Sequence, residues 1–228
     1  MTNGEVDRLG VRLREGAAPE DLRELDRYRE SFIPVFADTL PMLARELSTA
    51  VIGRHKSARS ILDKLVRNAP TRLSSVQDIG GARIIVPTIA DQDRITAELC
   101  ARVETTQIID RRSFPTYGYR AIHVLARFPL PFEFQIRTLA QHRWAQLSER
   151  LADQYGFELK YGGGPSHVVA ALMTMSRFVA DTEYLQTIGR ARADGASIDT
   201  DEAIEALDRV QTLVGKRETL TETLRIHG

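Results

Sequence analysis

Six consecutive residues, Phe132-Glu133-Phe134-Gln135-Ile136-Arg137, alternate large apolar and polar side chains without a break. A period of two puts Phe132, Phe134 and Ile136 on one face of a β-strand and Glu133, Gln135 and Arg137 on the other. A lone strand leaves its backbone N–H and C=O groups unpaired, so the chain must build a sheet around this one. If the polar face is covered, each of its side chains needs a partner. A solvent-exposed sheet face gives the same alternation, and the strand by itself leaves both readings open.

Further strand patterns lie nearby in the sequence. Residues 121–128 read as a second strand, joined to the first through Pro129-Leu130-Pro131, a hairpin of restricted geometry. On that strand Tyr119 and His123 share parity, which puts an aromatic ring and an imidazole on the same side. Ala82-Arg83-Ile84-Ile85-Val86 reads as a short buried strand ended by Pro87, followed by a helix over 91–103 and a strand over 106–110. Helical signals flank this region. Pro19 with Glu20 and Asp21 opens one helix, and Ser31 caps a segment running to about residue 49 that Pro41 should kink or split. A helix over 57–68 buries Ile61, Leu62 and Leu65 and carries Ser60 and Lys64 four apart on one face. After Leu139 the pattern is helical to Tyr155, breaks at Tyr161-Gly162-Gly163-Gly164-Pro165, and resumes over 166–188 and 201–224. The order predicts an α/β (mixed α+β) fold, a small mixed sheet flanked by helices, with helical N- and C-terminal extensions. The division expected is 1–50, 51–160 and 161–228, with one sizeable core in 228 residues.

Three clusters carry possible chemistry. Arg54-His55-Lys56, with Ser60 and Lys64, gathers cations at a helix start where free N–H groups also favour anions; a solvated basic face fits the same residues. Asp78-Ile79-Gly80-Gly81 places a carboxylate at a strand edge beside closely approachable backbone, which suits Mg²⁺; an Asp capping a turn fits too. The polar face of Glu133, Gln135 and Arg137 is the third. Composition narrows the rest. Lys plus Arg equal Asp plus Glu at 31 each, so no bulk positive field exists and a phosphate site must be local. The single Cys100 forbids an internal disulfide, and no histidine spacing suits zinc. The glycine run precedes Pro165 rather than Lys and Ser or Thr, so it is a helix-ending turn, not a Walker A loop. Trp144 is expected to be core. No leader opens the chain and no apolar run nears the ~20 residues that cross a bilayer, so a cytoplasmic protein without a membrane span is expected.

In order, these segments resemble the synthetase domain of the RelA/SpoT-type alarmone enzymes, especially small stand-alone members. The resemblance rests on Arg54-His55-Lys56, Ser60-Ile61, Lys64-Leu65, Asp78-Ile79-Gly80-Gly81-Ala82-Arg83-Ile84, Gly118-Tyr119-Arg120-Ala121-Ile122-His123, Glu133-Phe134-Gln135-Ile136-Arg137-Thr138 and Trp144-Ala145. It implies a nucleotidyltransferase-like sheet and a pyrophosphokinase that moves the β,γ-pyrophosphate of ATP to the ribose 3′-hydroxyl of GDP or GTP. Asp78 and Glu133 then hold Mg²⁺ or Mn²⁺, and Glu133 also helps to deprotonate the hydroxyl. Arg54, Lys56, Ser60, Lys64 and Arg83 bind ATP. Tyr119 stacks on the acceptor base, with His123, Gln135 and Arg137 around it. The loop before Gly118 is one residue shorter than the family's and lacks its lysine after the proline, leaving Arg111 and Arg112 as replacements; Ala121 stands where the family has serine. The alternatives are a toxic relative that modifies the 3′ end of tRNA and a nucleotide-binding module without turnover. A homo-oligomer or an antitoxin partner is implied as well.

Overall fold

The computed structural model describes residues 1–67, 69–128, 130–195 and 200–226. The helices are α1 (Asn3–Gly16), α2 (Pro19–Glu30), α3 (Ile33–Asp38), α4 (Leu40–Glu46), α5 (Ala58–Arg67), α6 (Ile89–Cys100), α7 (Leu139–Tyr155), α8 (Ser166–Ala193) and α9 (Thr200–Ile226). The strands are β1 (Val51–His55), β2 (Gly80–Val86), β3 (Glu104–Asp110), β4 (Ile122–Phe128) and β5 (Leu130–Thr138). The chain divides into two compact units, one of residues 1–86, 93–109 and 122–137, the other of 87–92, 110–121 and 138–228.

The first unit holds a five-stranded mixed sheet in the order β1-β2-β5-β4-β3, the mixed α/β architecture expected from the sequence. β5 runs antiparallel to β4 with Glu133 opposite Leu125 and Gln135 opposite His123, while β1 runs antiparallel to β2 with Arg54 opposite Gly81. Phe132, Phe134 and Ile136 are fully buried on the face away from Glu133. They pack in one core with Leu9, Leu25 and Leu43 of the N-terminal helices, Phe32 between α2 and α3, Ile61 and Leu65 of α5, and Ile95 and Leu99 of α6. Each such side chain contributes on the order of 2 kcal/mol, so the alternation in β5 is set by burial. Pro129, in the β4–β5 connection, and Asn68, the expected end of the α5 helix, lie outside the described residues.

Several local expectations change. The sequence reading has no helix before Pro19, yet α1 is closed by a capping box in which the Thr2 side chain accepts from Glu5 N–H and Glu5 accepts from Thr2 N–H at 2.7 Å. Ser31 ends α2 rather than opening the next helix, its hydroxyl donating to the Tyr28 carbonyl at 2.6 Å. The expected break near Pro41 appears as two short helices meeting at Thr39. Arg54 and His55 lie on β1, an edge strand that carries no alternation and forms through its pairing with β2. β4 begins at Ile122, so Tyr119 is not on a strand and shares no parity with His123.

In the second unit, α7 follows β5 directly because Thr138 caps it, accepting from Gln141 N–H at 3.1 Å. Trp144 is core as expected, packing with Ala145, Ala152, Leu159, Val168 and Leu172 and donating from Nε1 to the Leu172 carbonyl at 2.8 Å. Gly162, at φ 78°, closes a 3-10 turn over Phe157–Tyr161. The buried Asp181 carboxylate of α8 takes two hydrogen bonds from Arg209 of α9, at 2.9 and 3.0 Å. No described helix is long and apolar enough to cross a membrane.

Candidate active site

The polar face of the sheet is covered: Glu133, Gln135, Arg137 and His123 are all buried. They satisfy one another. His123 Nδ1 lies 2.7 Å from Glu133 Oε1, Gln135 Nε2 donates to Glu133 Oε2 at 2.7 Å, and Arg137 Nη2 donates to Gln135 Oε1 at 2.9 Å. Arg54 reaches the same carboxylate from β1, with Nη1 3.8 Å from Glu133 Oε2. Arg83 joins this face, because its register partner Ile52 and the Arg54–Gly81 pair share parity on the two strands. Burial pushes the Glu133 carboxyl up and Asp78 adds to that, but hydrogen bonds with His123 and Gln135 and the Coulomb interaction with His123 hold it below the ordinary glutamate value.

Asp78 forms the second node, two residues before β2 begins. Lys56 Nζ lies 2.6 Å from its Oδ2 and Lys64 Nζ 2.9 Å from its Oδ1. Burial raises this carboxyl as well, yet the two ammonium groups win and hold it down at about 2. The lysines are placed by backbone: Lys56 N–H donates to the Ile79 carbonyl, and the Lys56 carbonyl accepts from Arg29 Nε, both at 2.9 Å. Ser57 starts α5 by accepting from Ser60 N–H at 3.2 Å and donates its own hydroxyl to Ser60 Oγ at 2.9 Å. That helix carries Lys64 to Asp78.

Gly80 and Gly81 have a packing reason that the sequence reading did not give. A Cβ at Gly80 would lie 2.2 Å from the Phe32 ring, and one at Gly81 would lie 2.6 Å from the Glu133 carbonyl oxygen. The pair of glycines lets α2's end and the β5 backbone close onto β2, which draws Glu133 and Arg54 to the same place.

The structure thus gathers Arg54, Lys56, Lys64, Asp78, His123, Glu133, Gln135 and Arg137 within the first unit, with Ser60 and Arg83 on the adjoining helix and strand. Arg111, Arg112 and Tyr119 belong to the second unit. There Arg111 bonds Thr116, Arg112 grips Asp110 through Nε and Nη2, and the Tyr119 side chain packs beside the Trp144 cluster. Ala121 is fully buried. The sequence reading missed Glu183 of α8, which is buried, accepts from Thr138 Oγ1 and from Gln141 Nε2 at 3.2 Å, and is raised chiefly by that burial. Nothing in a glutamate within a long helix marks it for burial. His55 was read only as part of a basic run. It packs edge-on to Phe36 with ring centroids 4.4 Å apart, and burial together with Arg29 lowers its pKa.

Residues 53–156 match the region found in RelA / SpoT proteins, so this part of the chain is similar to that family. An uncharacterized protein of Mycobacterium tuberculosis (strain H37Rv) is 33% identical over 181 residues, covering 75% of this chain and 66% of the relative. The chain therefore spans just under two-thirds of that relative's length. The GTP pyrophosphokinase YjbM of Bacillus subtilis is 32% identical over 120 residues, 46% of this chain and 56% of that one. Among solved structures, the small alarmone synthetase 1 of Bacillus subtilis superposes with a TM-score of 0.61 at 23% identity, over 75% of this chain and all of that one. A GTP pyrophosphokinase family protein of Streptococcus pneumoniae gives 0.58 at 24% identity, over 82% and 98%. These likenesses establish the fold.

Proposed function

We propose that this chain is a pyrophosphokinase that transfers the β,γ-pyrophosphate of ATP to the ribose 3′-hydroxyl of GDP or GTP, giving a (p)ppGpp-type product and AMP. One observation carries the reading. Among the described residues, Lys56 and Lys64 clasp Asp78, Arg54 reaches Glu133, and Arg137 joins the Glu133 network through Gln135, so cations outnumber the two carboxylates, Asp78 and Glu133, both held below their ordinary pKa. An excess of positive charge out of water suits a polyphosphate, and it acts most strongly on charge that develops during transfer.

In the proposed reaction the 3′-oxygen attacks the β-phosphorus of ATP, the bond from that phosphorus to the bridging oxygen of AMP breaks, and the hydroxyl proton leaves to a nearby acceptor. Lys56 and Lys64 turn from Asp78 to the phosphates, and Arg54 and Arg83 bind the rest of the donor. Glu133 is a weak base at its lowered pKa. Its main contribution is therefore a fixed negative charge, positioned by His123 and Gln135.

The donor set fits a magnesium or manganese ion that arrives with the nucleotide. Asp78 and Glu133 are two ionised oxygen ligands, and among the described residues no group of three or more His, Cys, Asp or Glu side chains is arranged to hold a metal alone. When bound, such an ion neutralises phosphate charge and aligns the oxygens of the in-line displacement.

Tyr119 offers a face for the acceptor base, and Arg111 and Arg112 lie in the same loop. The test offers GDP, GTP and tRNA in parallel with labelled ATP. Label on GDP or GTP supports the proposal, and label on tRNA alone refutes the acceptor assignment.

A further inference from the structure

Tyr119 sits at the end of a demanding turn. Tyr117 has φ 51° and Gly118 φ 85°, and Tyr119 N–H donates to the Thr116 carbonyl at 3.0 Å, so residues 116–119 form a tight turn with two successive left-handed residues. Tyrosine is not a residue that adopts this conformation freely, and such geometry persists only where surrounding contacts over-determine it. Its surroundings come from α7, α8 and the 3-10 turn. Gly118 Cα rests on the indole of Trp144, where a Cβ would lie 2.8 Å from Cζ2, and the Tyr117 ring lies against Gly162, where a Cβ would lie 2.6 Å from Cδ1.

The polar anchor is Ser176, a buried serine in the middle of α8. Its hydroxyl donates to the Gly118 carbonyl at 2.5 Å and accepts from Arg120 Nε at 3.2 Å. Arg120 in turn donates to the Arg112 carbonyl. One hydroxyl therefore fixes residues on both sides of Tyr119 and, through Arg120, the backbone of the loop's basic pair. α8 lies outside residues 53–156, the part of the chain that carries the family match.

We infer that Ser176, seated beside Trp144, is a positioning residue for the acceptor: it holds the Tyr119 turn in its binding shape, so the C-terminal helical segment sets acceptor affinity. This rests on the proposed role of Tyr119. It separates acceptor binding from donor binding, since Ser176 touches none of the residues assigned to ATP.

The chain supplies its own reporter, because Trp144 is its single tryptophan, is 6% exposed and lies under Gly118. In Ser176→Ala we expect the acceptor KM to rise by at least about fivefold, with the ATP KM and kcat at saturating acceptor within about twofold. Acrylamide quenching of Trp144 should rise in the same variant. Gly118→Ala, which pushes the turn off the indole from the loop side, should reproduce both changes and decides the matter if Ser176→Ala does not fold. Unchanged quenching in both variants overturns the inference whether or not the chain transfers pyrophosphate. Raised quenching with an unchanged acceptor KM, or with an equal rise in both KM values, overturns the assignment to acceptor affinity. A wild-type chain that transfers nothing refutes the proposed function and leaves the quenching result to judge the anchor alone.

Discussion

Replacing Asp78 by Asn leaves Lys56 and Lys64 facing a neutral amide. The carboxyl stands at about 2 against an ordinary 3.8, and at about 1.4 kcal/mol per pKa unit the difference is worth roughly 2 kcal/mol of folding free energy. Because the folded-state value is depressed, this stabilisation is complete above the ordinary 3.8 and disappears as the pH falls through about 2. Against a typical total of about 5–15 kcal/mol the variant should still fold. Urea denaturation near neutral pH should therefore show Asp78→Asn less stable by about 2 kcal/mol, with the gap to wild type closing as the pH drops from about 4 toward 2. AMP release should fall by at least about a hundredfold in the same protein. A variant as stable as wild type at neutral pH, or a gap that persists unchanged in acid, would refute the electrostatic account of this node. Near-normal AMP release with an unchanged metal requirement would refute its catalytic role.

Glu133→Gln should likewise lower AMP release by at least about a hundredfold while circular dichroism stays that of the wild type; retained activity removes Glu133 from the site. Gly81→Ala drives a methyl group against the Glu133 carbonyl oxygen. Because that neighbour is backbone, a loss of about 1–3 kcal/mol in thermal or urea denaturation is expected, together with reduced turnover; an unaltered midpoint would mean that β2 and β5 are not so close. Glu183 is raised by burial, so its neutral form favours folding at low pH and that advantage is lost as the pH rises through its folded-state value. Glu183→Gln should gain stability relative to wild type between acid and neutral pH, and a constant difference in melting temperature across that range would contradict it.

The sheet was legible where burial wrote a pattern. The apolar set Phe132, Phe134 and Ile136 could only be one strand face, and the apolar run in β2 only an interior strand. β1 left no such mark: Val51–His55 contains Gly53 and two basic residues, and it is a strand because β2 offers an edge. α1 was overlooked although Thr2 and Glu5 spell a capping box, a local signal that apolar periodicity does not register. Within the candidate site, motif order marked Asp78, Glu133 and the cations, but spacing could not reveal that Lys56 and Lys64 both clasp Asp78. The roles of Gly80, Gly81 and Ser176 were invisible, because each depends on an atom brought close by a distant part of the chain. Tyr119 was assigned to a strand on parity, and the left-handed pair at Tyr117 and Gly118 shows why that reading failed.

In the proposed reaction a pyrophosphoryl group moves as a unit, which ATP labelled at the β-phosphorus puts to the test. Incubated with the purified chain, Mg²⁺ and GDP or GTP, it should yield unlabelled AMP and a labelled guanine nucleotide in equal amounts. Label remaining in ADP, as in transfer of the γ-phosphate alone, or label released as free pyrophosphate with no labelled nucleotide, would contradict the account.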